Sequence, residues 1–510
     1  MRVGTRETPS LKRNTLSLAH VFGFALAGVL AAIAPIEVGP AIGAVGPAAI
    51  WPVILGYLLV ALISIPIFEY TRIVPFAGGY YGLAELGYGL AAGKFTALAN
   101  YIYSIFVQAS NAAFASWLII DTTYLIFNVL PPIWVWFLIA IVTLLISFAL
   151  AILEVKNLGN VVFYSNIIMT IVVVIFAIYV IARSPYNSFY YLNPVNSIGG
   201  WSGLFFATAI VGYYFYTGYG SSLFYTEETK SATLITWIAI YLSLTFSAFV
   251  IAINAYSEVV AVPLKDLSAV ASAPIPQLAS WVYYVPTSAL LILNILLALV
   301  SFIAFGGYGG SQARLLWAMA RDNFIKSEWL KRLHLKRNVP VNAALLSLIL
   351  SLIATFGIAG AVFAVYGYSA DTVALVWPVT ATIGSLTWYF HHFIPELGLW
   401  GFLRKHPEIK WSAFRKYVAG LIVPIAGIAF FTYTFYEGII SNLVEPYFAA
   451  VLVALISMAG AAIYVAYKAR KGDLGESVVH YMLAEMGKLT GKGQDGGQSQ
   501  GGEQGKGQGK

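Results

Sequence analysis

Apolar residues run in long blocks from one end of the chain to the other, broken by short polar stretches. Twelve such runs stand near residues 16–45, 48–70, 92–127, 132–153, 158–182, 202–228, 233–260, 286–319, 340–364, 370–394, 414–438 and 446–468. Most match the roughly 20 apolar residues that a helix needs to cross a bilayer. A bilayer core offers no water to backbone N–H and C=O groups, so each run is predicted to be a helix. The fold class is therefore an all-α polytopic membrane protein of about twelve transmembrane helices. The third and eighth runs exceed what a bilayer needs, so they tilt or project beyond it. Residues 491–510, GKGQDGGQSQGGEQGKGQGK, carry no apolar side chain and cannot build a core.

Composition sharpens this picture. Of the 510 residues, 59% are hydrophobic and 10% charged, against about 25% charged in soluble proteins. The absence of cysteine excludes disulfides, thiolate metal sites and a cysteine nucleophile. The net charge of +7 would suit a nucleic-acid partner, but its placement argues otherwise. If the runs alternate in direction, all of the 29 Lys and Arg except Arg183 and Lys265 fall on the side of the N-terminus. Excess positive charge marks the cytoplasmic side. Both termini are thus expected in the cytoplasm, the protein in the plasma membrane, and no nucleic acid as partner. The first run has no small-residue cleavage site after it and reads as a retained helix rather than a signal peptide.

Two runs contain the worst helix formers at about mid-membrane. The first run holds GVLAAIAPIEVGP, Gly28 to Pro40, and the sixth holds FYTGYGSSLFYTEETK, Phe215 to Lys230. Pro35 cannot donate to a helix and disfavours helix at Ala34. Unwound backbone at that depth is tolerated only where protein or a wet cavity supplies hydrogen bonds. Gly and Pro also serve as kinks and close-packing residues in membrane helices, so either break alone is ambiguous. Two breaks five runs apart point instead to an inverted-repeat transporter with its site between them. Half-helix N-termini favour a carboxylate, and half-helix C-termini favour an ammonium or cation. An α-amino acid carries both groups. Phe215, Tyr216 and Tyr219 are candidates for an apolar or aromatic pocket wall, or for ordinary packing.

Three stretches carry a family resemblance. VPFAGGYYGLAELGYG (Val74 to Gly89) looks like a P-x-A-G-G-x-Y segment after helix 2. YTGYGSSLFYTEETK looks like a broken helix 6 with a distal E-E-x-K. GSQARLLWAMARDNFIKSEWLKRLHLKRNVPVNA (Gly310 to Ala343) looks like the end of helix 8 and its loop. Together they resemble the amino acid–polyamine–organocation superfamily of permeases. The resemblance implies a five-plus-five inverted repeat of the LeuT type. Helices 1–5 would be residues 16–183 and helices 6–10 residues 202–394. Helices 11–12 would be 414–468, with cytoplasmic ends at 1–15 and 469–510. It further implies secondary transport of amino acids by alternating access, coupled to a proton or sodium ion or running as exchange. Carried over by position, the carboxylate would meet backbone N–H groups around Ala32, Ile33 and Ala34. The ammonium would meet carbonyls near Gly28, Val29 and Tyr216, with Thr217, Gly218, Tyr219 and Gly220 completing the site. Gly220 stands where the family often has Glu, and residues 158–182 lack the charge that some proton-coupled members place in helix 5.

Glu37 is the outlying charge in the first run. With Ala34 as N-cap it is a favoured acid in a first helical turn; functionally it is the candidate coupling group. Asp121 and Glu258 are expected to be solvated at outer helix ends, and Glu69 to pair with Arg72. Arg314 is expected against the acidic end of the sixth run, and His391 and His392 at the membrane interface. Asn100, Tyr103, Gly306, Tyr308 and Trp377 are further pocket candidates by depth. Glu37 alone would serve a polyamine or organic-amine carrier, and a non-transporting nutrient sensor on the same scaffold is a third reading. No cluster of His, Asp and Glu suggests an enzyme, no cofactor is expected, and no phosphate-binding G-x-x-x-x-G-K motif suggests an ATP-driven pump. Oligomeric state is not legible.

Overall fold

The computed structural model describes residues 11–72, 79–208, 212, 214–406, 411–440 and 444–478. The first apolar run is not one helix. Helix α1 (Leu18–Val29) stops where Leu30 turns left-handed, at φ +53°, a conformation uncommon outside glycine. A 3-10 turn at Ala31–Ile33 leads into α2 (Ala34–Glu37) and then α3 (Gly39–Val45). Ile33 is the N-cap of α2, one residue earlier than expected, and Pro35 sits where its missing N–H costs nothing. The chain then bends by 110° into α4 (Ile50–Ile63), which continues past Ser64 as α5 (Ile65–Thr71).

A short helix, α6 (Tyr80–Tyr88), precedes the long α7 (Leu90–Phe127). Then come α8 (Ile133–Ala151) and α9 (Val155–Arg183). The sixth run is again broken: α10 (Gly200–Ala207) ends early, and Tyr214–Glu228 is wound as a 3-10 helix. Helix α11 (Ala232–Val260) is followed by α12 (Leu267–Ser272) and α13 (Pro276–Trp281), and α13 packs on both α11 and α2. The remaining helices are α14 (Thr287–Arg321), α15 (Glu328–Lys331), α16 (Val341–Tyr366), α17 (Ala370–Lys405), α18 (Val423–Phe435) and α19 (Tyr447–Arg470). Helix α17 runs to Lys405, well past the expected end near residue 394.

Among the described residues, nine helices are long and apolar enough to cross a membrane, or ten if the bent pair Gly39–Ala48 and Ile50–Ile63 is one span. A count of twelve requires the two broken runs to be added as spans. The surface pattern suits a bilayer. Ile168, Ile171, Ile175 and Ile178 expose one face of α9, while Gln108, Asn111 and Gln312 are buried. At the centre, α7 packs on α14 and α17, and α1 packs on the Tyr214–Glu228 segment.

Candidate functional site

The two broken runs cross at Gly28 and Gly218. A Cβ on either glycine would fall on the carbonyl oxygen of the other. This answers why glycine stands at mid-membrane: only two residues without side chains let the backbones touch. Gly220 is explained similarly, because a Cβ there would meet the hydroxyl of Tyr80. The tyrosine of α6 fills the space that a side chain at position 220 would need.

A cavity lies against this crossing. Its space open to the centre of a water-sized sphere is about 90 Å³. That is room for roughly six to nine waters, the scale of a mid-sized amino acid. Val29, Leu30 and Ile33 form one wall, and Tyr214, Phe215 and Thr217 the facing one. Tyr103, Asn111 and Phe114 of α7, Tyr308 of α14, and Trp377 and Trp388 of α17 close the sides. Glu37 also lines it and is the one acid among the lining residues.

Toward the chain ends the cavity is sealed. The Phe24 and Tyr225 rings stack at 3.9 Å, and the Tyr225 hydroxyl donates to the Gly307 carbonyl at 2.5 Å. Below them Arg314 grips Glu228 through two hydrogen bonds, Nε to Oε2 at 2.5 Å and Nη2 to Oε1 at 3.0 Å, with both side chains buried. The Arg314 guanidinium also lies 4.3 Å from the centre of the Tyr225 ring. Such a pair is strong only because each charge meets the other bidentately. The N-terminal segment closes over it: the Thr15 and Leu16 amides donate to the Glu228 carbonyl at 2.8 and 2.9 Å, and the Lys230 amide donates to Leu16.

Of the residues expected at the site, Gly28, Val29, Ile33, Phe215, Thr217, Gly218 and Glu37 reach the cavity. Ala32, Tyr216, Tyr219 and Gly220 are not among its lining residues, and the side chain of Ala34 lies outside the described ones. Tyr216 turns the other way, and its hydroxyl donates to the Val53 carbonyl at 3.1 Å. One expected backbone contact is already engaged, since the Ile33 amide donates to Leu30 at 2.9 Å; next to the expected Tyr216 carbonyl, that of Thr217 accepts the Trp388 indole at 2.9 Å. Tyr103, Tyr308 and Trp377 line the cavity as depth suggested, whereas Asn100 and Gly306 do not. Trp388, Phe114 and Asn111 went unnoticed in the sequence, because nothing in an apolar helix marks which face meets a cavity.

Several charged residues also depart from expectation. Asp121 is buried and accepts the Trp117 indole at 2.8 Å. Glu258 is buried rather than solvated; residues 261–285, which include α12 and α13, fold back at that end of α11. His391 and His392 are buried, not interfacial, because α17 continues another three turns. The pair Glu69–Arg72 forms as expected at 3.2 Å, and Arg314 meets the end of the sixth run. The segment Val74 to Gly89 is described only from Gly79 onward.

A comparison with curated proteins returned no match. The sequence pattern of the amino acid permeases, a family of transporters rather than enzymes, matches residues 15–467, nearly the whole chain. That span includes both broken runs, their glycine crossing and all the cavity walls. The chain belongs to the amino acid permease family and is a multi-pass membrane protein of the class that transports amino acids.

Proposed function

We propose that the protein is a secondary active transporter that moves amino acids across the plasma membrane by alternating access. Both termini are placed in the cytoplasm, and the driving ion is a proton in preference to sodium, or the protein exchanges one amino acid for another. The observation that carries this reading is the cavity beside the Gly28–Gly218 crossing, sealed toward the chain ends and lined by both broken helices. The state described is then an outward-facing one. Residues 16–183 and 202–394 are proposed as the two inverted repeats, with 414–468 added outside them. Val29, Ile33, Thr217 and Gly218 are proposed cargo contacts, with Ala34 beside them; Ala32, Tyr216, Tyr219 and Gly220 would join them only after the broken helices move.

Glu37 favours one second reading. It is the acid among the lining residues, and a carboxylate facing the cargo suits an organic amine. Trp377 and Trp388 face the cavity, so their fluorescence reports its filling. The experiment titrates purified protein with neutral amino acids, the matching amines and the matching carboxylic acids. Saturable quenching by the amino acids is expected, with either truncated analogue at least about tenfold weaker, equivalent to about 1.4 kcal/mol. Amines that bind as tightly as the amino acids, and that lose affinity in Glu37→Gln, would instead make this an amine carrier.

A further inference from the structure

Beneath the cavity, α17 buries a second set of polar groups. His392 Nε2 lies 2.7 Å from Glu396 Oε1, one helical turn on, and 2.8 Å from the Tyr219 hydroxyl on the broken segment. His392, Glu396 and Tyr219 are each 0% exposed. His392 Nδ1 has no hydrogen-bond partner, and neither Glu396 oxygen has an aligned one. The 2.7 Å approach to Oε1 is thus a close contact out of line with the ring N–H rather than a formed hydrogen bond. Among the described residues no Lys or Arg pairs with Glu396. Pro395, between the two, cannot donate to the His391 carbonyl, so the helix is weakened at this point.

The groups facing this pair come from four elements. Tyr219 approaches from the broken segment, and Tyr80 of α6 stands 5.2 Å from both histidine rings, centre to centre. Tyr103 of α7 touches His391 at 4.8 Å, and Tyr70 of α5 lies beside Gly398 a little further along. Two of the neighbours connect the pair to the cavity. Trp388 lines the cavity and stacks on His392 at 4.1 Å, and Tyr103 lines it and contacts His391. Glu396 lies about 12 Å further along α17 than Trp388, at 1.5 Å per residue, toward the chain ends.

We propose that Glu396 and His392 bind the coupling proton, and that its presence decides whether Tyr219 is fastened to α17. The proposal rests on the transport reading above. In the unloaded site the Glu396 carboxylate turns into line and accepts the proton that His392 carries on Nε2, so Nε2 has no lone pair for Tyr219. A proton arriving from the cavity bonds to the unpartnered Nδ1. The Nε2–H bond then breaks, that proton forms an O–H on Oε1 across the 2.7 Å contact, and the carboxyl turns out of line again, as in the described structure. One proton has been gained, the imidazole is neutral again, and no electrons have moved. The freed Nε2 lone pair now accepts the Tyr219 hydroxyl at 2.8 Å. Tyr219 follows Gly218, so this bond holds the broken segment at its crossing with Gly28. Proton loss toward the chain ends undoes it and releases the segment.

The test reconstitutes the full chain in liposomes and measures two quantities for a neutral amino acid: exchange without a gradient, and accumulation under an inward proton gradient. Wild type is expected to do both. Glu396→Gln cannot take up the proton and is expected to exchange but not accumulate, its inside-to-outside ratio falling to about one. Accumulation equal to wild type in Glu396→Gln overturns the proposal. If that variant does not fold, His392→Asn decides: the ring that relays the proton is lost, and accumulation is expected to fall to about one while exchange continues. Wild-type accumulation in His392→Asn would also overturn it. A wild type that exchanges but ignores the proton gradient overturns the proposal and leaves the transport reading standing. A folded wild type that neither exchanges nor accumulates removes both.

Discussion

The carbonyl oxygens of Gly28 and Gly218 each occupy the volume that a Cβ on the other would take. An alanine at either place must push two backbones apart at the narrowest point of the core. Gly218→Ala is therefore expected to lose about 1–3 kcal/mol or more of stability and to stop transport. Gly360→Ala, in α16 with nothing within 4 Å, is the matched control. It is expected to be neutral or to gain up to about 1 kcal/mol, since alanine is the better helix former. Thermal unfolding in detergent checks both. This glycine pair was legible as a break in the sequence, because glycine in a membrane helix asks for a reason. The partner of each glycine was not, since the contact joins residues 190 positions apart. His392 was misread for a different reason. Two adjacent histidines normally end an apolar run, and only the continuation of α17 to Lys405 places them inside. Glu258 was misread because burial of a helix end depends on the loop that returns over it.

At the scale of elements, the ends of the chain act as clamps on one face. Val478 donates its amide to Glu85 at 3.0 Å, and Glu476 donates its own to the Asp322 carbonyl at 2.7 Å. The segment leading there is pinned by Lys326 on Asp473 at 2.7 Å. On the other side Lys12 pairs with Glu154. The bonded lysine holds each carboxyl below the usual range: Lys326, with help from Lys468, does so for Asp473, and Lys12 for Glu154. A carboxylate held low in the folded state stabilises the contact above its ordinary pKa. That contribution is lost as pH falls through the ordinary value, about 4, to the depressed one. These pairs are solvent-exposed and also weaken in salt. The chain has no native cysteine, so a spin label on Lys471→Cys can follow the C-terminal clamp. Its mobility is expected to rise below about pH 4 and, at neutral pH, in Lys326→Ala. Unchanged mobility in both would mean that the ion pair does not hold the segment. None of this was visible beforehand, because a polar tail after the last apolar run gives no sign of where it docks.

For the whole molecule, the all-helical membrane architecture was legible from run length alone, since a bilayer leaves the backbone almost no other choice. The location of the candidate site was half legible. The two breaks announced it, and Gly28, Val29, Ile33, Glu37, Thr217 and Gly218 reach the cavity where Tyr216, Tyr219 and Gly220 do not. The other half depended on rotation: a one-residue shift turns a helical side chain by about 100°, which separates Tyr216 from Phe215. The number of spans follows from helix length only where helices are unbroken. The account stands or falls on whether cargo passes between the broken helices. The most direct measurement is uptake of labelled amino acids into proteoliposomes, compared with no gradient, a proton gradient and a sodium gradient. Accumulation of a neutral amino acid driven by the proton gradient, lost in Gly218→Ala, is the predicted result. Folded protein that shows neither uptake nor exchange of any amino acid would contradict it.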